Sequence, residues 1–261
     1  RGDLGISIRS GVPVKDLIAS RMGPTIELAL VAMVISTIIG VGAGIISAVT
    51  RSKFVDYTVR TFAILGFSIP WFWIALMFIV LFSVKLGVLP AGGRIDAGLD
   101  YQTITDFMLI DHVITGNWRA LGSFLRHLAL PATAIGLTGA GFVTRLTRSA
   151  MLEVLRADYI RTARGAGYSE RAVILRHALP NAILPVITLQ GIQFGALLGG
   201  AVITEMVFSW PGLGRLLIGA ILARDYPVVQ STVIVVAFAY VFMNLLVDLT
   251  YRFVDPRLRA E

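Results

Sequence analysis

Few residues in this sequence are equipped for chemistry. The chain has no cysteine, which removes disulfides, thiol nucleophiles, Fe–S clusters and Cys-ligated zinc. Its three histidines, His112, His127 and His177, stand far apart with no metal-ligand spacing. His127 and His177 each follow an arginine at the edge of an apolar run, as side chains anchored at a membrane–water interface do. Asp96, Asp100, Asp106 and Asp111 gather in one polar segment. Four carboxylates could hold a cation, but their spacing matches no calcium loop and suits a solvated polar loop better. The only lysines, Lys15, Lys53 and Lys85, do not follow glycine, so no phosphate-binding P-loop is present. No Gly-x-Ser-x-Gly element accompanies a suitable Asp and His. No catalytic residue and no metal ligand is assigned, and the chain is expected to bind no cofactor itself.

The elements that would carry these groups are apolar. Residues are 56% apolar and only 15% charged, against ~45–50% and ~25% in soluble domains, so a soluble surface could not be dressed with charge. A helix crossing ~30 Å of hydrocarbon needs about 20 residues. Five uncharged runs approach or exceed that length: Leu28–Thr50, Thr61–Val84, His127–Thr144, His177–Thr204 and Tyr226–Val247. Backbone groups in a bilayer must be satisfied internally, so these runs predict an all-α polytopic membrane protein with five transmembrane helices. The third run is short. The fourth is too long for one straight span, and its beginning, with Pro180 and Pro185, is expected at the interface.

Orientation follows from basic residues. Segments 51–60, 145–176 and 248–261 hold 13 Lys and Arg in 56 positions, whereas 1–27, 85–126 and 205–225 hold 10 in 90. The denser set is expected in the cytoplasm, with the N-terminus outside and the C-terminus inside. Anionic inner-leaflet lipid explains these arginines more simply than nucleic acid does. A translocated polar N-terminus beginning at Arg1 suggests that a first span precedes this sequence, giving six in the complete subunit. The expected organisation is an external segment 1–24, a transmembrane domain 25–251 and a cytoplasmic tail 252–261. That domain includes an external loop 85–126 and a cytoplasmic loop 145–180.

Within the spans, Gly40 and Gly44 form a small-xxx-small pair, and Gly191, Gly195 and Gly199 line one face of the fourth run. Such faces serve helix packing or sliding against a second subunit. Pro70 should kink the second span, with Trp71 and Trp73 inside it or anchored at an interface. Glu27 and Glu205 fall at span edges, and the span centres carry no charge, which weakens an ion-coupled carrier. Thr188, Gln190 and Gln193 could line a polar, uncharged path or hydrogen-bond between helices.

The loop 145–176 has seven arginines against three acids. Its segment Met151–Pro180 is helix-compatible to Arg164, then Gly165-Ala166-Gly167 permits a sharp turn and Ser169 can cap a second helix toward Leu179. That is a helix–turn–helix elbow whose small-residue bend lets another protein approach the backbone. A charged loop lying on lipid headgroups would read the same way.

The elbow resembles the cytoplasmic EAA loop of ABC-importer permeases. Arg161-Thr162-Ala163 takes the Glu-Ala-Ala place, Gly167 the glycine, and Leu179-Pro180 the end. Arg161 replaces Glu, and His177 replaces Ile. Asp158-Tyr159-Ile160-Arg161-Thr162-Ala163-Arg164 and Arg176-His177-Ala178-Leu179 are similar to the version in dipeptide and oligopeptide permeases, which commonly carry a lysine near Ala166. Glu205–Gly214, Leu245–Leu249, Asp255-Pro256-Arg257 and the opening Gly2-Asp3-Leu4-Gly5 resemble further family segments, so the resemblance spans the whole chain.

The resemblance implies a type I ABC-importer permease fold in a bacterial or archaeal inner membrane. It implies a second homologous permease subunit, two cytoplasmic ATPase subunits holding ATP and Mg, and an extracytoplasmic solute-binding protein delivering di- or oligopeptides. Nickel, glutathione or another small solute is the alternative cargo of the same permease type; an ion-coupled secondary carrier is the more distant one. Asp158, Tyr159, Arg161, Thr162, Ala163, Arg164, Gly167, Leu179 and Pro180 are then the expected ATPase-coupling residues.

Overall fold

The charge-free runs fall on helical segments; three helices outgrow their runs, and the other two runs are divided among shorter helical pieces. In the computed structural model, which describes residues 4–254, α1 covers Val14–Val49, α5 covers Trp118–Val154 and α12 covers Tyr226–Val254. At 1.5 Å per residue, the 36 residues of α1 extend about 54 Å, more than a bilayer core requires. Between them lie α2 (Lys53–Ser68), α3 (Trp71–Phe78), which continues as a π-helical stretch over Ile79–Lys85, and the short α4 (Met108–Ile114). After α5 come α6 (Asp158–Gly165), α7 (Glu170–Ala172), a π-helical stretch Val173–Ala178 and α8 (Leu179–Ala182). Then α9 (Leu184–Gly200), α10 (Val202–Val207) and α11 (Leu213–Leu222) precede α12. Among the described residues the extended structure outside helices is one isolated antiparallel bridge, Ile6 to Pro13. The expected resemblances at Gly2-Asp3 and Asp255-Pro256-Arg257, and most of the tail 252–261, lie outside the described residues.

Among the described residues three helices are individually long and apolar enough to cross a membrane: α1, α5 and the Tyr226–Leu246 part of α12. Two bent helix pairs, α2 with α3 and Glu170–Ala182 with α9, pass the same test only when each pair is taken together, which gives up to five spans against the five that the sequence predicts. The second span is broken outright rather than kinked. Ile69 is extended (φ −84°, ψ 129°) because a residue before proline is driven out of the α region, and α3 restarts after Pro70. The Glu170–Ala182 and α9 axes bend by 50° at Ile183. The shortest uncharged run, His127–Thr144, proves to lie in the most enclosed of these three long helices. The most apolar window of α5 is 67% buried against 17% for α12, so α5 faces protein and needs less apolarity than a lipid-facing helix.

The helices divide into two compact units, to which α1, α5, α9 and α12 each contribute residues. One unit comprises 1–32, 70–135 and 194–242, and holds the segments predicted external. Glu27, expected at a span edge, is inside α1 and buried, accepting from Arg94 Nη2 at 2.5 Å and from the Leu109 backbone N–H at 2.8 Å. Glu205 is likewise fully buried. It accepts from Thr25 Oγ1 (2.7 Å) and from the N–H of Arg215 (3.0 Å), so its carboxylate caps the N-terminus of α11. Trp210, also fully buried, donates its indole N–H to the Pro24 carbonyl at 2.8 Å. On α9, a Cβ at Gly195 would lie 2.8 Å from Tyr240 Cδ2 and one at Gly199 3.0 Å from Val236 Cγ1, so both glycines meet α12 closely.

In the segment 85–126, Asp96, Asp100 and Asp106 are exposed, as a solvated loop predicts, and Asp111 is the exception. Asp111 is buried. Burial opposes its charge, but bonds from the Thr105 hydroxyl and the N–H groups of Ile104 and Thr105 outweigh this and lower its pKa. The next residue, His112, is buried between the rings of Tyr101 and Phe124, and among the described residues neither ring nitrogen has a hydrogen-bond partner. Burial holds its pKa below the ordinary histidine value, with Asp111 pulling the other way. His127, expected at an interface, is buried as well, with Nδ1 2.9 Å from the Ser123 carbonyl and Nε2 3.8 Å from Asp96.

The other unit comprises 33–69, 136–193 and 243–261 and holds the segments predicted cytoplasmic. Here α1 crosses α5 at small residues. A Cβ on Gly40 would sit 2.5 Å from Val143 Cβ, one on Gly44 2.6 Å from Thr147 Cβ, and one on Gly139 2.8 Å from Ser36 Oγ. Close backbone approach supplies packing where lipid removes the hydrophobic drive between helices.

Candidate functional site

The arginine-rich loop of this second unit folds into a defined elbow. Past Val154 the helix tightens, with Arg156 and Ala157 N–H donating to the Glu153 and Val154 carbonyls three residues back. Ala157 is extended (ψ 149°), and α6 begins at Asp158, whose carboxylate suits the positive end of the helix dipole. On α6, Ile160 and Ala163 are buried, three residues apart on one face. Asp158, Tyr159, Arg161, Thr162 and Arg164 are exposed.

The bend is a Schellman motif. The Tyr168 N–H donates to the Ala163 carbonyl (3.3 Å) and the Gly167 N–H to the Arg164 carbonyl (3.0 Å), with Gly167 at φ +82°. Glycine adopts this left-handed conformation without the Cβ penalty, which explains Gly167 at the turn. Ser169 Oγ then accepts from the Ala172 N–H at 3.4 Å, capping the second arm as its sequence predicts. That arm runs to Ala182 through the π-helical stretch 173–178. The wide turns precede Pro180, which lacks an N–H and whose ring crowds the carbonyl four residues back. Pro180 itself is exposed and Leu179 half-buried.

A small apolar core secures the elbow. Ile160, Ala163, Val173, Ala178 and Ala182 cluster with Met151 of α5, and Ile45 and Ala48 at the end of α1 pack against them. Polar contacts finish the surface. Arg164 donates from Nε to Glu170 Oε1 (2.9 Å) and from Nη2 to Oε2 (3.4 Å), bracing one arm against the other. Asn181 Nδ2 donates to Tyr159 Oη at 3.0 Å, and the Tyr168 and His177 rings meet at 5.0 Å. Among the described residues Arg161 pairs with Asp158 alone, at 3.4 Å, and both side chains are largely exposed, so this pair is weak and free to exchange partners.

The structure thus joins eight of the nine expected coupling residues to the elbow's visible or half-buried surface and puts Ala163 inside its core. It also brings in a group whose part was not visible in sequence. Arg148 of α5 donates to Ser47 Oγ of α1 (2.9 Å) and to both oxygens of Asp56 of α2 (3.0 and 3.2 Å), tying three helices together beside the elbow's attachment. In the sequence Arg148 and Asp56 are simply loop charges, and no spacing links them.

The polar residues proposed for a path differ in their engagements. Gln190 is buried, and its side-chain amide donates to the Met33 carbonyl (3.3 Å) and to Thr37 Oγ1 of α1. Thr188 is half-buried and donates to the Leu184 carbonyl of its own helix at 3.2 Å. Gln193 is half-buried too. Gly191 is buried on the same helix.

Residues 40–260 match the family described as binding-protein-dependent transport system inner membrane component. The chain is 45% identical over 258 residues to a dipeptide transport system permease protein of Alkalihalophilus pseudofirmus, covering 99% of this chain and 78% of that protein. It is 47% identical over 258 residues to a probable D,D-dipeptide transport system permease protein of Escherichia coli, covering 98% and 76%. Its fold is similar to that of a methionine ABC transporter solved in inward-facing conformations, with a TM-score of 0.70 at 17% identity over 92% of this chain and 96% of that one.

Proposed function

The chain belongs to the family of binding-protein-dependent transport system inner membrane components, and from that premise we propose that it is the permease half-path of an ATP-driven peptide importer. It is a transport subunit and not a catalytic enzyme. The observation that carries the peptide reading is the 45% identity to a dipeptide permease over 99% of the chain. In this reading the chain pairs with a second homologous permease in a bacterial or archaeal inner membrane, its C-terminus in the cytoplasm. Two cytoplasmic ATPase subunits hold ATP and Mg, and an extracytoplasmic binding protein delivers di- or oligopeptides.

The elbow is the proposed seat of the ATPase. Its exposed face offers Tyr159, Arg161 and Thr162, while Gly165–Gly167 keep the bend bare of large side chains. Arg161 is the cation offered to an ATPase carboxylate, because Arg164 is already committed to Glu170. Leu179, Pro180 and the buried Ala163 set the elbow's shape. ATP moves this elbow only by binding one ATPase arrangement better than the other; equal affinity for both would shift nothing. Thr188 and Gln193 are the proposed path-lining groups, with Gln190 holding α9 to α1 behind them.

Reconstitution tests the reading. With its permease partner, ATPases and binding protein in proteoliposomes, the chain should support peptide uptake that requires ATP. Uptake driven by an ion gradient without ATPases would place it among secondary carriers. Uptake of nickel or glutathione but no peptide would reassign the cargo.

A further inference from the structure

A cleft of about 480 Å³ opens in the unit predicted external, a size typical of small-molecule sites (roughly 300–1,000 Å³). The N-terminal turn, the first turns of α1, α11 and the start of α12 form its walls. Its apolar part comes from Leu17, Leu216, Ala220 and Val228. Three arginines, Arg9, Arg21 and Arg215, line it as well.

The one acid on its walls, Asp225, is occupied with building the cleft. Its carboxylate accepts from Ser7 Oγ (2.5 Å) and from the N–H groups of Ile8 (3.2 Å) and Arg9 (3.3 Å). The Ile6–Pro13 bridge and the Ser7 N–H bond to the Val12 carbonyl close the same turn. Asp225 therefore fastens the N-terminal turn to the head of α12. The Ser7 hydroxyl above all, with the Ile8 and Arg9 N–H groups, holds its pKa below the usual carboxylate range.

The arginines have no such engagement. Among the described residues, Arg9 and Arg21 make no ion pair and no side-chain hydrogen bond, although Arg21 is half-buried. Arg215 gives only Nη1, to the Ser209 carbonyl at 2.8 Å. Arg9 and Arg215 are exposed; a half-buried arginine such as Arg21, with no side-chain partner among the described residues and set in a concave, partly apolar wall, is suited to an anion with an apolar body.

We propose that this cleft binds a small organic carboxylate; resting on the peptide reading above, that ligand is a short peptide held by its C-terminal carboxylate. The planar guanidinium forks take the carboxylate, and the Leu17, Leu216 and Val228 side chains take an apolar C-terminal residue. The assignment places a carboxylate-reading station on the permease itself, separate from the elbow.

The test uses the permease pair in phosphatidylcholine nanodiscs, with saturation-transfer NMR titration of leucyl-leucine, leucyl-leucine amide and N-acetyl-leucine. Leucyl-leucine and N-acetyl-leucine should bind, and the amide at least tenfold more weakly. Arg21→Gln should weaken both acids at least tenfold, with Arg21→Lys between. Arg9→Gln, on the exposed turn, gives a second measure should Arg21→Gln disturb folding. Equal binding of acid and amide, or acid binding unchanged in both variants, overturns the proposal. So does stronger displacement by inorganic phosphate than by N-acetyl-leucine, or loss of binding when phosphatidylglycerol is added, which would make the cleft a headgroup site. N-acetyl-leucine binding without any ATP-driven peptide uptake would uphold the carboxylate cleft while the peptide reading fails.

Discussion

Replacing Ile160 with alanine removes the largest side chain that α6 contributes to the elbow core. Ile160 is fully buried, and Ala163, Ala178 and Ala182 beside it are too short to swing into the space left behind. Truncation of a buried Leu or Ile costs about 2–5 kcal/mol, combining lost transfer energy with the residual cavity. The core here is small, with alanines for half of its buried members, so a cost of about 2–4 kcal/mol is expected. Each 1.4 kcal/mol is a factor of ten in an equilibrium, so local opening of the elbow should become roughly 30- to 900-fold more frequent. Hydrogen exchange on the assembled transporter reads this directly at the amides of Gly167 and Tyr168, which donate to Arg164 and Ala163 across the bend. Peptide uptake should fall while basal ATP hydrolysis continues, because the ATPases stay intact but lose their rigid lever. Ile160→Val, costing about 0.5–1.5 kcal/mol, should accelerate exchange by no more than about 13-fold. Unchanged exchange in Ile160→Ala would refute the packing argument. Faster exchange with wild-type uptake would refute the lever.

Other consequences follow from single contacts. Gly44→Val should lower thermal stability, by about 1–3 kcal/mol of overpacking, because its Cβ would lie 2.6 Å from Thr147 Cβ and 2.9 Å from the Thr144 carbonyl. Gly42→Ala, whose Cβ meets nothing within 4 Å, should be neutral or slightly stabilising, and thermal unfolding followed by fluorescence separates the two. His112 has a folded pKa below its unfolded value of about 6.5, since burial penalises the cation. The unfolded state therefore binds the extra proton first. Stability should be full above about pH 6.5 and decline as pH falls from there toward the depressed folded value. His112→Phe should remove that part of the pH dependence, measured as midpoint of thermal unfolding between pH 7.5 and pH 5.

Much of this was legible in sequence because a bilayer writes its demands into composition. Uncharged runs located the helices, and the run from Arg145 to Arg176 marked the elbow, with Gly167 and Ser169 announcing its bend and cap. Helix ends were less legible. Charge at Lys15, Asp16, Arg21 and Glu27 reads as loop, yet all four lie in α1, since a helix that leaves the hydrocarbon tolerates charge and Glu27 has Arg94 to meet it. Those pairings span 67 residues for Glu27–Arg94 and 92 for Asp56–Arg148, and no local pattern encodes contacts of that range. Ala163 shows the same limit at short range. It belongs to the motif by sequence, but the fold turns it into the elbow's core and leaves the neighbouring Arg161 and Ala166 exposed.

That placement selects the decisive measurement. The chain has no cysteine, so a single Ala166→Cys substitution at the exposed bend gives a unique attachment point. In the assembled, otherwise cysteine-free transporter, this thiol should crosslink to a cysteine placed in the surface groove of an ATPase subunit. The yield should change when ATP is bound and trapped before hydrolysis. A crosslink that forms and responds to nucleotide is what the coupling elbow predicts. Absence of any crosslink to the ATPase, in a complex that still imports peptide, would contradict it.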